Sequence, residues 1–213
     1  MKRIRNVLLL LWISLAMLLV TACTTSPKEL DLGITEDGTY KNDYFGVSVQ
    51  YPKEWKNEAI GPMGKIKKGV PGPVILLRVP PGETMDLAEA DYINLLSAPN
   101  IPQEGELKPT IMLTAVKISS LPNIKTAKDF MELTKNDLKR TSSEFTLKDS
   151  GIATIGGKEM YKLVHTVNKK GFKHTREWYT AIIKDYALII VVYNVDDESK
   201  AVTDEILKSV SFK

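Results

Sequence analysis

Six consecutive apolar residues, Ala187-Leu188-Ile189-Ile190-Val191-Val192, constrain this chain more than any other feature. They lie within a stretch that reads as strand. A strand exposes alternate residues to opposite faces, so an uninterrupted apolar run must be covered on both sides. The strand is therefore central in its sheet, with a packed layer above and another below. Ile189 and Val191 should enter one layer, and Leu188, Ile190 and Val192 the other.

The neighbouring sequence supplies the partner strands. Residues 145–155, 158–168, 173–184 and 186–195 read as four strands. Their separators are Gly156-Gly157, Asn168-Lys169-Lys170-Gly171 and Lys184-Asp185. Links this short make an antiparallel meander. Upstream, Thr126-Ala127-Lys128-Asp129 has the spacing of a capping box, and apolar or small residues recur at 127, 130, 131, 134 and 138. That predicts an amphipathic helix to about Arg140. A closing helix is expected over 199–210, with Val202, Ile206 and Val210 in one stripe. Strands are expected at 45–51, about 74–79 and 110–119, and a short helix over 86–96. Ten of the 24 glycines and prolines fall between Gly61 and Gly82, so that segment reads as loop around its one strand. The fold class expected is α+β: a twisted antiparallel sheet with helices on both faces.

The N-terminus reads as an address. Lys2, Arg3 and Arg5 precede Val7–Val20, which is apolar apart from Ser14. Fourteen helical residues reach about 21 Å, short of the roughly 30 Å of a bilayer core. This is the pattern of a secretory signal over 1–22, not of a spanning helix. Val20-Thr21-Ala22-Cys23 follows, and Cys23 is the chain's single cysteine. The motif resembles the lipobox of bacterial lipoproteins, which implies cleavage before Cys23 and a diacylglycerol on its sulfur. Two or three acyl chains give a lasting membrane anchor. Residues 23–39 then read as lipidated cysteine plus flexible tether, and 40–213 as one domain. Removing the signal leaves 29 − 3 = 26 basic against 26 acidic residues. A neutral mature chain has no general pull on nucleic acid.

Tyr44-Phe45-Gly46-Val47-Ser48-Val49-Gln50-Tyr51-Pro52-Lys53-Glu54-Trp55, the Gly156-Gly157 turn with its following strand, and the terminal Ile206-Leu207-Lys208-Ser209-Val210-Ser211-Phe212 together resemble the Mog1/PsbP-like family. The resemblance implies that family's sandwich of one antiparallel sheet between helices. Its members are mostly non-catalytic: a Ran-binding protein, an extrinsic photosystem II subunit and envelope lipoproteins. The matching motifs are structural and carry fold better than function.

Few residues point to chemistry. There is no Gly-x-Ser-x-Gly elbow, no phosphate-binding glycine loop and no His-Glu-x-x-His, so no enzyme activity and no cofactor is expected. His165 and His174 lie on two arms of one hairpin. A two-residue loop at 169–170 makes pairs sum to 339 and the histidines cross-strand neighbours, half of a metal site. A three-residue loop ending at Gly171 makes pairs sum to 340 and turns them to opposite faces. The second register is favoured, so no metal site is expected. Asp196-Asp197-Glu198 suits the N-terminus of the last helix better than a calcium loop. Tyr161, Trp178, Tyr179 and Tyr186 are core candidates that could also line a ligand groove. Lys169, Lys170 and Lys173 form a basic hairpin tip, a solvated turn or a surface for an acidic partner. The function expected is a lipid-anchored, extracytoplasmic binding or scaffold module with a protein partner at the cell envelope. The alternative is a small-ligand or metal-binding lipoprotein with a pocket near loops 61–82.

Overall fold

The computed structural model describes residues 29–57, 60–66, 76–78, 85–98, 108–121, 123–141, 145–169 and 172–213. Twelve strands among them form two sheets. β1 (Ile34–Glu36), β2 (Thr39–Asn42), β3 (Val47–Gln50) and β12 (Ser211–Phe212) make a four-stranded sheet in that order. The eight-stranded sheet runs β5 (Leu76–Arg78), β4 (Gly61–Ile66), β6 (Tyr92–Ala98), β7 (Thr110–Lys117), β11 (Tyr186–Asn194), β10 (Phe172–Ile183), β9 (Lys158–Lys169), β8 (Phe145–Ile155). All its pairings are antiparallel. Helices α1 (Ala127–Thr141) and α2 (Asp197–Ser209) cover opposite faces of this sheet. The α+β class and its two-sided cover are thus as expected. No helix among the described residues is long and apolar enough to cross a membrane.

The apolar strand β11 sits centrally, between β7 and β10. Leu188, Ile190 and Val192 enter the core shared with α2 and the small sheet. Ala187, Ile189 and Val191 enter the core under α1. Both helices start as their sequences imply. Thr126 and Asp129 exchange hydrogen bonds of 2.9 and 3.1 Å between backbone N–H groups and side chains. At α2 the Asp196 carboxylate accepts from the Ser199 backbone at 2.8 Å, and the Ser199 hydroxyl accepts from the Asp196 backbone at 3.0 Å. Such reciprocal caps satisfy donors that a helix end leaves open. The C-terminus closes on the N-terminal sheet, since Phe212 pairs with Val47 and Lys213 N–H donates to the Gly46 carbonyl at 2.9 Å.

Four expectations are corrected. Residues 86–96 are not a helix. Asp86 caps a 3-10 turn at Leu87–Glu89, and β6 follows. Ile93, Leu95, Leu96, Ser97 and Ala98 are all fully buried there, so the segment is covered on both faces. A short apolar run of that kind has no periodicity to tell strand from helix. Second, Gly61–Ile66 is strand β4, not loop; it is irregular, with a register shift between Pro62 and Gly64. Third, the ordered fold begins before Tyr40. Leu30 and Leu32 pack on the core, and β1 and β2 form a hairpin across Asp37 and Gly38 at φ 45° and 71°. Fourth, β9 and β10 pair with positions summing to 341, as in Arg176 with His165 and Phe172 with Lys169. Two residues, not three, link the arms, and His165 and His174 therefore share the α1 face.

Candidate functional site

A surface groove of about 380 Å³ opens beside the small sheet, lined by Thr35, Asp37, Gly38, Tyr51, Lys53, Trp55, Asn57 and Ile60. Its walls are two turns. One is the Asp37-Gly38 hairpin tip, where positive φ at both residues is the type I′ geometry that an Asp-Gly pair favours. Gly38 is also required sterically, because a Cβ there would lie 2.5 Å from the Tyr51 carbonyl. The other wall is the turn after β3, where Pro52 ends the strand and its carbonyl accepts from Trp55 N–H at 2.9 Å. Tyr51 N–H donates to the Gly38 carbonyl at 2.8 Å, tying the two walls together.

The floor is a chain of hydrogen bonds. Asn57 Nδ2 donates to Thr35 Oγ1 at 3.0 Å, and Asn57 Oδ1 accepts from Ser97 N–H at 3.0 Å. One amide side chain thus joins the groove to strand β6 of the large sheet. Burial raises the Tyr51 hydroxyl pKa, and a hydrogen bond from Thr35 partly offsets this. Trp55 is half-buried against the core, and Ile60 is 41% exposed at the rim. Asp37 and Lys53 are exposed and bring one charge of each sign. The site therefore offers aromatic surface ringed by short donors and acceptors, with no net charge.

The residues expected from sequence do not assemble into one surface. Tyr161 and Trp178 lie on the α1 face. Tyr179 and Tyr186 lie on the other face, in the core under α2. Consecutive strand residues point to opposite sides, so Trp178 and Tyr179 cannot line one groove. The Tyr179 hydroxyl donates to Glu177 Oε2 at 2.8 Å, and burial together with that bond raises its pKa. Lys169 ends β9 opposite Phe172. Cys23 and Lys170 lie outside the described residues. His165 and His174 do not make a metal pair either, despite sharing a face. Arg176 stands directly opposite His165 and donates from Nε to His174 Nε2 at 3.0 Å. A guanidinium at that position opposes a second cation. Among the described residues no group of three His, Cys, Asp or Glu is placed to hold a metal ion.

None of the eight groove residues was a functional candidate from sequence; Tyr51, Lys53 and Trp55 stood there only in the motif that carries the fold resemblance. Ile34-Thr35-Glu36-Asp37-Gly38-Thr39-Tyr40 does carry a signal: Asp-Gly between β-branched and aromatic residues is a strong short-range hairpin mark.

Fold and groove define an α+β antiparallel sandwich with a small polar-aromatic surface site. No protein-family model matches the chain, and no curated protein matches it. Solved structures do resemble it. A Mycobacterium tuberculosis protein, LpqN, described as involved in cell envelope biogenesis, is similar at 15% identity over 78% of this chain and 83% of its own, with a TM-score of 0.42. The cyanobacterial PsbP (CyanoP) of Synechocystis sp. PCC 6803 is similar at 13% identity over 88% of this chain and 100% of its own, with a TM-score of 0.47. A Pseudomonas aeruginosa protein of unknown function, a putative regulator, shares 9% identity over 76% of this chain and 88% of its own, with a TM-score of 0.40.

Proposed function

We propose that this chain is a lipid-anchored, non-catalytic binding module on the outer side of a bacterial membrane, and that the groove at Tyr51 and Trp55 is where it binds. The groove is the observation that carries the reading. It is concave, its walls are fixed by backbone hydrogen bonds, and it combines aromatic surface with a few polar groups, as small binding sites do. Its position suits an anchored protein. Thr35 follows Cys23 by 35 − 23 = 12 positions, so extended chain separates them by at most about 40 Å. A lipid on Cys23 would hold the groove near the membrane surface, where an envelope component is its occupant.

Two measurements test this. Cys23→Ala should move the protein from the membrane fraction into a soluble or uncleaved form; fractionation like the wild type would rule out the anchor. A photo-crosslinking amino acid in place of Ile60, at the groove rim, should give a light-dependent adduct in intact cells. Cells that yield no adduct at Ile60 would rule out the groove as a binding place.

A further inference from the structure

We infer that the groove takes a neutral sugar unit of an envelope glycan. The inference rests on the groove being the binding place, and it follows from the chemistry of the lining. A pyranose has an apolar C–H face and a rim of hydroxyls that both donate and accept. It needs an aromatic surface for the face and short side chains of both hydrogen-bonding kinds for the rim.

The groove supplies both. Trp55 provides aromatic surface, the Tyr51 ring being buried in the core behind it, and Asp37, Thr35, Asn57 and Lys53 surround it. Asp37 accepts only, Lys53 donates only, and the hydroxyl and amide do both. Asn57 uses one Nδ2 hydrogen on Thr35 and its oxygen on Ser97, so a second hydrogen is available to a ligand. The opposed charges of Asp37 and Lys53 cancel, which disfavours a phosphate or carboxylate ligand relative to an uncharged one. The volume of about 380 Å³ falls at the small end of ligand sites, which run from about 300 to 1,000 Å³. The Asn57 and Gly38 hydrogen bonds hold the lining before a ligand arrives, limiting the ordering cost that weakens adaptable sites.

The test uses the full-length lipoprotein in a detergent without sugar headgroups, with saturation-transfer NMR against maltotriose, chitotriose, mannotriose and galactotriose. At least one should show saturable binding, weakened ~10-fold or more by Trp55→Ala through loss of the stacking surface. Asp37→Gly keeps the I′ turn and should weaken binding ~3-fold or more by removing an acceptor. It also serves as the informative variant if Trp55→Ala melts early. No saturable binding by any of the four sugars, or binding unchanged in both folded variants, overturns the inference. The Ile60 crosslink separates this failure from that of the binding reading: an adduct formed with protein and not glycan would sink the sugar alone.

Discussion

The two faces of the large sheet around β9 and β10 bury polar residues by opposite means. Toward α2, Glu177 is enclosed in a network. Tyr179 donates to one carboxylate oxygen at 2.8 Å and Asn194 to the other at 3.1 Å, while Thr203 of α2 donates to Asn194 at 2.5 Å. Lys200 stands 3.6 Å from the same carboxylate at the rim. Toward α1, His165 is fully buried between the rings of Phe145 and Trp178, at centroid distances of 4.9 and 6.2 Å. Neither His165 nitrogen has a hydrogen-bond partner among the described residues, nor does the indole N–H of Trp178. The α2 face is thus specified by paired polar atoms, while on the α1 face ring packing leaves the His165 nitrogens and the Trp178 N–H unsatisfied beside the Arg176–His174 hydrogen bond. An unsatisfied buried group is a standing cost. The α1 face is therefore where acid should act first.

The largest expected effect would show where the faces are alike. Ile190 and Ile189 are both buried, one in each core, so truncation of either to Ala should cost about 2–5 kcal/mol through lost transfer and a cavity. Chemical denaturation measures this. A loss below about 1 kcal/mol for Ile189 alone would mean that α1 does not cover the sheet in solution.

Acid should then separate the faces. Burial, and the like charges of Arg176 and His174, push the His165 pKa down to about 4. The unfolded chain titrates near 6.5 and so binds the proton first. Stability is therefore unaffected by this group above about pH 6.5 and falls as pH drops toward 4, by roughly 3 kcal/mol in all. The carboxylates held low by local bonds, Asp129, Asp149 and Asp196, matter only below their ordinary value of 3.8. The interval from pH 6.5 to 4.5 is thus the one in which His165 acts. His165→Leu should flatten the stability profile there; an unchanged slope would refute the assignment to His165.

Breaking the network on the opposite face should matter less. Glu177→Ala strands the Tyr179 hydroxyl and the Asn194 amide, and should destabilise by about 2 kcal/mol. Smallest is Lys200→Ala. Its ammonium is about half exposed, so the loss should stay below about 1 kcal/mol and shrink with added salt. A larger loss that added salt removes would show that the ion pair, and not the hydrogen bonds from Tyr179 and Asn194, organises that face.

Much of this architecture was legible in particular residues. The run at 187–192 announced a strand covered on both sides, and its alternation assigned Ile189 and Ile190 to different layers. Gly156-Gly157 and Lys184-Asp185 announced tight links, and both are two-residue turns between paired strands. Asp196-Asp197-Glu198 announced the start of α2, which begins at Asp197, two residues before the expected Ser199. These signals are local: strand period, turn chemistry and capping act over a few residues, so a linear reading reaches them.

What the tertiary structure decided is non-local. Tyr92–Ala98 is a strand because β4 and β7 flank it, and nothing within the segment states that. The register of β9 on β10 turned on one residue in a loop, and one residue inverts every side chain. That is why the two histidines share a face. The groove is the extreme case. Its lining comes from residues 35–38, 51–57 and Ile60, tied through Asn57 to Ser97 forty positions away. From sequence, the Asp-Gly turn fell inside the expected flexible tether over 23–39, and only the Tyr-Pro-Lys-Glu-Trp corner stood out. Only the pairing of β2 with β3 brings them together, because Thr39 opposite Gln50 places Gly38 against Tyr51.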